Sequence, residues 1–153
     1  MHVIEGSEAL AEACMNIARA LRTHFDDNAM VQMPKDLRSH RLYVAEDEGD
    51  VVGFLTVKSA RDGEVEISWM GVHPGHQGKG IGRALVSEAE RDLVSEGVLR
   101  LAVRTLADTV EYEPYEATRA FYRAVGFVHQ ETIDPYPEWG PGNPCAVYIK
   151  DLG

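Results

Sequence analysis

The chain has 153 residues, 44% of them hydrophobic, enough to bury the core of one domain, so we predict a single domain over 1–153. Acidic residues outnumber basic ones by 25 to 15, and the formal net charge of -10 argues against a surface that follows nucleic-acid phosphates and mildly favours a cationic partner. The amino terminus lacks the pattern of an export signal, and no apolar run could span a bilayer. We therefore expect a cytoplasmic protein without nucleic-acid or membrane partners.

The first forty residues predict one clear helix. Apolar residues recur at helical spacing behind Ser7, a residue type that caps helices, and indicate a helix near 7–23. The following segment, 24–40, has a looser pattern. We expect it to be a mobile connection or lid, in which Pro34 could open a short helix.

An antiparallel meander follows. Residues 42–45 and 51–57 predict two strands joined by an acidic turn, and 64–72 predict a third strand after a second turn. Pro74 cannot donate to a strand ladder and biases His73 towards an extended conformation, so the third strand should end there.

The remainder of the chain mixes helices with short strands. The pattern predicts a helix over 81–93 ended by Gly97, a strand over 99–103, a helix over 114–125 ended by Gly126, and strands over 127–133 and 145–150. The fold class is therefore mixed α/β.

Three glycines, Gly78, Gly80 and Gly82, lie at alternate positions between the third strand and the next helix. A glycine-rich turn before a helix presents unpaired backbone N–H groups to an anion, because the first amides of a helix lack intrahelical partners. Lys79 and Arg83 add positive charge inside an acidic chain. We predict that this loop holds a pyrophosphate.

Spacing excludes two other phosphate loops. A Walker loop needs a glycine where His73 stands and Ser or Thr after Lys79, where Gly80 stands. A dinucleotide fingerprint begun at Gly78 needs its third glycine at Arg83, and its strand should open a βαβ unit instead of closing a meander.

Two stretches together resemble the signatures of the GNAT superfamily of N-acetyltransferases. Residues 72–82 read Val-His-Pro-Gly-His-Gln-Gly-Lys-Gly-Ile-Gly and resemble its acyl-CoA loop, while 118–127 read Thr-Arg-Ala-Phe-Tyr-Arg-Ala-Val-Gly-Phe and resemble its second signature. The similarity covers roughly 41–130. It implies a mostly antiparallel mixed sheet of about six to seven strands with about four helices, and acetyl transfer from acetyl-CoA to a primary amine, without a metal.

The resemblance also implies the cofactor residues. The pyrophosphate would be held by Gln77, Gly78, Lys79, Gly80, Ile81, Gly82 and Arg83, and the pantetheine arm by Met70, Gly71 and Val72, between the strands 64–72 and 98–105. Gly71 indicates close backbone approach or is merely a tolerated small residue. Where many relatives have Asn and Ala, this chain has Tyr115 and Thr118, whose hydroxyls could replace one polar contact.

Acetyl transfer to an amine needs an acid and a base, because the amine has a pKa of about 10.4 and the leaving thiol one of about 8.5. The resemblance implies Tyr122 as the acid that protonates the sulfur. A pKa near 10 keeps a tyrosine protonated at neutral pH. The alternative role of Tyr122 is packing in the core.

Glu66 stands where some members of the superfamily place a carboxylate base. Strand alternation puts Glu64, Glu66, Ser68 and Met70 on one face of the third strand, and Val65, Ile67 and Trp69 on the other. The polar face would then line the acceptor cleft. Two alternatives stay open, a solvated strand face and a chain of waters that replaces any single base.

Other chemistry has less support. His73 and His76 lack a third metal ligand at a familiar spacing, and Cys145 lacks an identifiable base that would activate it as a nucleophile. Together with Cys14 it is expected to be a separate thiol. A non-catalytic acyl-CoA-binding or sensing domain is the alternative to an enzyme, and a homodimer is left open. Acidic residues within 1–40 and 131–144, where the superfamily sets specificity, favour a cationic amine acceptor.

Overall fold

A computed structural model describes all of residues 1–153 and contains seven strands and four helices. In chain order these are β1 (His2–Glu5), α1 (Ala11–Arg19), α2 (Asp27–Ser39), β2 (Arg41–Asp47), β3 (Asp50–Arg61), β4 (Glu64–Val72), α3 (Ile81–Ser95), β5 (Arg100–Leu106), α4 (Pro114–Ala124), β6 (Val128–Ile133) and β7 (Cys145–Asp151). None of these helices is long and apolar enough to cross a membrane. The mixed α/β prediction is confirmed.

The strands form one sheet in the order β1-β2-β3-β4-β5-β7-β6, with every neighbouring pair antiparallel except β4 and β5. These two parallel strands pair only from Glu64 with Arg100 to Ile67 with Val103. Beyond that point they part, and we call the opening between 68–72 and 104–106 the wedge.

The two faces of the sheet carry separate cores. On one face α3 and α4 bury a large cluster that includes Leu85, Leu101 and Tyr122. On the other face α1 and α2 bury a smaller cluster around Phe54 and Met33. Each fully buried apolar side chain of this size contributes about 1.5 to 3 kcal/mol, so both faces are well anchored.

Most predicted elements are confirmed. The meander occupies β2, β3 and β4, and β4 ends at Val72, directly before His73. Gly97 and Gly126 follow α3 and α4 with φ of +84° and +103°, the left-handed conformation that ends helices. Pro114 stands in the first turn of α4.

The amino-terminal predictions are only partly right. The first helix is shorter than predicted, because a single 3-10 turn at Glu8–Leu10 precedes α1 and Ser7 makes no side-chain cap. β1 was not predicted, and it adds an edge strand by pairing with β2 from His2 to Glu5.

The prediction of a mobile connection over 24–40 is wrong, since most of it forms α2. The Asp26 side chain caps the helix by accepting a hydrogen bond from Ala29 N, and Met33 and Leu37, four residues apart, are buried beneath it. Pro34 lies inside this helix instead of opening one. The burial of Met33 and Leu37 and the Asp26 cap therefore outweigh the cost of the backbone N–H that Pro34 lacks.

The predicted face assignment of β4 is right up to Ser68 and wrong for Trp69 and Met70. Thr56 pairs with Trp69 while the next residue of β3 pairs with Ile67, so Ser68 is an extra residue in a β-bulge. The bulge reverses the alternation. Met70 packs with the α3 and α4 core, while Trp69 packs with the α1 and α2 core.

Candidate active site

The loop between β4 and α3 has the conformation that an anion cradle requires. Gly78 and Gly80 both have φ of +79°, where other residues are strained. The backbone N–H groups of 77–80 donate to no acceptor in the protein. The first-turn amides of α3 add further free donors. Residues 77–83, in the loop and the first turn of α3, therefore present about seven free backbone N–H groups.

The third glycine, Gly82, is explained by close packing instead of backbone conformation. Gly82 lies within α3, and a Cβ there would be 3.0 Å from Met70 Cε and 3.2 Å from the ring of Phe121. It lets α3 pack closely against β4 and α4, so only two of the three glycines serve the turn.

Lys79 and Arg83 leave their charges free beside this loop. Both are exposed, and neither lies within ion-pair distance of a carboxylate, although nine other Lys and Arg residues do. In a chain with a formal net charge of -10, two unpaired cations at a helix amino terminus produce a local site for an anion.

The wedge beside the loop contains an unpartnered polar group. Thr105 Oγ1, on β5, is buried without a hydrogen-bond partner. Arg119 is also buried and donates from Nη1 to Leu106 O at 2.7 Å, which fixes the end of β5 to α4. Neither residue was predicted. Thr105 could have been noticed as a hydroxyl in register with the core residues Leu101 and Val103.

Tyr122 reaches the wedge from the α4 side. It is buried, and its hydroxyl donates to Met70 Sδ at 3.7 Å, a weak acceptor that leaves the proton available. Burial, followed by the effect of Tyr115, raises the pKa of Tyr122 well above its ordinary value. The hydroxyl therefore stays protonated at neutral pH.

Glu66 lies on the opposite face of the sheet and is not a solvated residue. Its side chain is 9% exposed and forms ion pairs with Lys58, at 3.8 Å, and with Arg104 Nη1. Glu66 is thus a paired residue on this face of the sheet. It lies two residues before the wedge, where it contacts Arg104, while Tyr122 contacts Met70 in the wedge from the other face.

The two hydroxyl residues that stand where many relatives have Asn and Ala, Tyr115 and Thr118, differ in their partners. Tyr115 donates to His24 O at 2.6 Å, and burial raises its pKa to about 12. Thr118 is half-buried and makes no hydrogen bond with its side chain. Of this pair, only Thr118 has a hydroxyl without a partner in the protein.

The remaining candidates do not form a reactive centre. Burial raises the pKa of the Cys145 thiol to about 11, so it is protonated at neutral pH. His73 and His76 pack edge to face with ring centroids 5.7 Å apart. No group of three or more His, Cys, Asp or Glu side chains is arranged to hold a metal ion.

Residues 38–129 match the family model described as the acetyltransferase (GNAT) domain, which covers more than half of the chain. The chain belongs to the GNAT acetyltransferase family. The resemblance noted in the sequence is thereby confirmed. The match includes the glycine loop, β4, β5 and α4, the elements that surround the wedge.

Individual GNAT relatives extend the match. N-alpha-acetyltransferase RimI of Mycobacterium tuberculosis is 34% identical over 128 residues, covering 79% of this chain and 74% of the relative. A mycothiol acetyltransferase of Streptomyces avermitilis is 28% identical over 137 residues, covering 84% of this chain but 42% of that protein. The chain therefore spans less than half the length of that relative.

A solved structure shows the shared fold. Aminoglycoside 6'-N-acetyltransferase complexed with coenzyme A superposes with a TM-score of 0.77 at 15% identity, over 100% of this chain and 98% of the other. The seven-stranded sheet with its four helices is thus shared with that acetyltransferase, and the family match identifies it as a GNAT fold.

Proposed function

We propose that this protein transfers an acetyl group from acetyl-CoA to a primary amine by direct attack of the amine on the thioester. The observation that carries the proposal is the wedge between β4 and β5 next to a loop whose backbone amides are free. The names of two related proteins, an N-alpha-acetyltransferase and an aminoglycoside N-acetyltransferase, specify transfer to nitrogen.

The residues around the wedge fit coenzyme A. We assign the pyrophosphate to the amides of 77–83 with Lys79 and Arg83, where the helix dipole adds about 0.3 to 1 kcal/mol. The pantetheine arm would lie along Met70, Gly71 and Val72, whose edge towards β5 has no strand partner. Thr105 and Thr118 supply free hydroxyls on the other side.

Tyr122 is proposed as the group that protonates the leaving sulfur. Its hydroxyl is protonated at neutral pH and would donate a hydrogen bond and then the proton to the sulfur as the carbon–sulfur bond breaks. Holding both reactants in the wedge would supply much of the remaining acceleration. Glu66 stays the proposed carboxylate on the acceptor side, where its ion pairs favour an electrostatic role.

The acceptor is proposed to be a cationic amine. Acidic groups such as Asp26, Asp134 and Glu138 stand in the segments 1–40 and 131–144, and attract positive charge. We also propose that residues 1–153 form a single domain. The free thiols of Cys14 and Cys145 support a proposed cytoplasmic location.

Release of CoA thiol tests this function directly. Acetyl-CoA is offered with an alanine-terminated peptide, lysine, a polyamine and an aminoglycoside, while calorimetry measures CoA binding in parallel. We expect CoA to bind and at least one amine to be acetylated. Binding of CoA without turnover of any amine would favour the acyl-CoA-sensing alternative, and failure to bind CoA would exclude both.

A further inference from the structure

A chain of polar side chains connects α2 to the bulge in β4. His40 Nδ1 lies 2.8 Å from Ser68 Oγ, and Ser68 Oγ lies 2.7 Å from Thr56 Oγ1. On its other side, His40 Nε2 lies 3.5 Å from Asp36 Oδ1. The side chains of His40 and Asp36 are only 15% and 16% exposed, so water competes little with these contacts.

The hydrogen-bond partners of Asp36 indicate which groups donate and which accept along this chain of side chains. Its carboxylate accepts hydrogen bonds from Trp69 Nε1 at 2.8 Å and from Gln32 Nε2 at 2.9 Å, which hold it beside His40. An acceptor oxygen of Asp36 next to Nε2 favours the tautomer of His40 that carries its proton on Nε2. His40 Nδ1 then has a free lone pair, to which Ser68 donates, while Ser68 Oγ accepts from Thr56.

Ser68 occupies a particular place on the sheet. It is the extra residue of the bulge and the first residue of β4 beyond Ile67, the last one paired with β5. It therefore stands at the apex of the wedge. Its hydrogen bonds to His40 and Thr56 are on the face opposite to Tyr122, the face that Glu66 also occupies.

We propose that Ser68 and His40 form a proton relay that accepts the proton lost by the amine during acetyl transfer. The amine proton passes to Ser68 Oγ, directly or through one water, while the hydroxyl proton of Ser68 passes to His40 Nδ1. His40 becomes an imidazolium whose Nε2–H faces Asp36. The number of protons is conserved, and His40 returns its proton to solvent afterwards. This inference rests on the proposed acetyltransferase function.

The charges around His40 suit this role better than those around Glu66. Burial lowers the pKa of His40, Asp36 opposes that shift, and Lys58 on β3 adds to it. The neutral ring is thus the main form at pH 7. The groove on its other side is lined by charged residues of both signs, Glu5, Glu8, Arg38 and Arg41. Glu66, by contrast, is held in ion pairs with Lys58 and Arg104, which a proton on its carboxylate would break.

The tautomer and titration of His40 can be measured without any acceptor. We expect nitrogen NMR of the whole protein to show neutral His40 protonated on Nε2, with a pKa below its ordinary value of about 6.5. Ser68→Ala should shift the Nδ1 resonance of His40. A neutral ring protonated on Nδ1 would overturn the relay.

The activity test uses the amine that is best acetylated in the panel. Ser68→Ala and His40→Asn should each lower kcat by about 100-fold, and the acidic limb of the kcat/KM profile that reports His40 should disappear. Affinity for CoA should be unchanged. His129→Asn, on the exposed strand β6, is the matched control and should keep the wild-type profile.

Two failures can be told apart. If the wild type acetylates no amine in the panel, the proposed function fails and the relay fails with it. If the wild type is active but Ser68→Ala keeps its kcat and its acidic limb, only the relay is overturned. Ser68→Ala removes one oxygen and leaves α2 intact, so it decides the question even if His40→Asn does not fold.

Discussion

The two faces of the sheet contribute different kinds of chemical groups around the wedge. The face with α3 and α4 presents mainly backbone, with free amides in a glycine loop and the buried hydroxyls of Tyr122 and Thr105. The face with α1 and α2 presents charged and polar side chains, with Glu66 paired to Lys58 and Arg104 and with Ser68 hydrogen-bonded to His40. We infer that the first face binds and protonates the departing CoA, and that the second receives the amine.

This difference has a physical basis. Backbone amides at a helix start form a site for any diphosphate and need only the correct local conformation. Proton acceptors need neighbours that tune their charge, and these neighbours come from distant segments, since Ser68 and His40 are 28 residues apart. The same protein thus combines a locally encoded site with one assembled by the tertiary fold.

The largest effect is expected at the acid. Tyr122→Phe should lower kcat by about 100-fold or more, because the sulfur would leave without a proton donor, while CoA affinity stays close to that of the wild type. Tyr148→Phe is the matched control, since Tyr148 is also buried in this core but lies on β7. Equal kcat for Tyr122→Phe and wild type would restrict Tyr122 to packing.

A smaller effect is expected from a substitution in the loop between β4 and α3. Gly80→Val forces a branched residue into a left-handed conformation, and CoA affinity should fall about 10-fold, equivalent to about 1.4 kcal/mol. Gly49→Val is the matched control, because Gly49 has φ of +85° and equal open space but stands in the turn between β2 and β3. Similar losses of CoA affinity in both variants would contradict a local role of the loop.

The smallest effect is expected on the other face. Asp26→Ala removes the cap of α2, and the free energy of unfolding should fall by about 1 kcal/mol. Denaturant titration measures the change, with Asp27→Ala as control because its exposed side chain caps no helix. No difference between the two variants would mean that α2 does not depend on this cap.

The face with α3 and α4 could largely be predicted from sequence. Gly78, Gly80 and Gly126 have conformations that local chemistry dictates, and Pro114 begins α4 as its fixed φ favours. Tyr122 was found through the resemblance to GNAT proteins. Thr105 was missed because its lack of a partner is visible only once β5 and α4 are packed.

The face with α1 and α2 could not be predicted as well. The loose pattern of 24–40 predicts a mobile connection or lid in which Pro34 could open a short helix, whereas burial of Met33 and Leu37 stabilises α2. Strict alternation of side chains along a strand does not reveal the bulge at Ser68. It therefore predicts the wrong faces of the sheet for Trp69 and Met70. Contacts across the chain, not local propensity, determine both features.

The most direct measurement of the central claim is a crystal structure of this protein with coenzyme A. We expect the pyrophosphate to be bound by the amides of 77–83 and the pantetheine arm to lie in the wedge, with its sulfur near Tyr122. A cofactor bound elsewhere, or β4 and β5 closed against each other in the complex, would contradict the account.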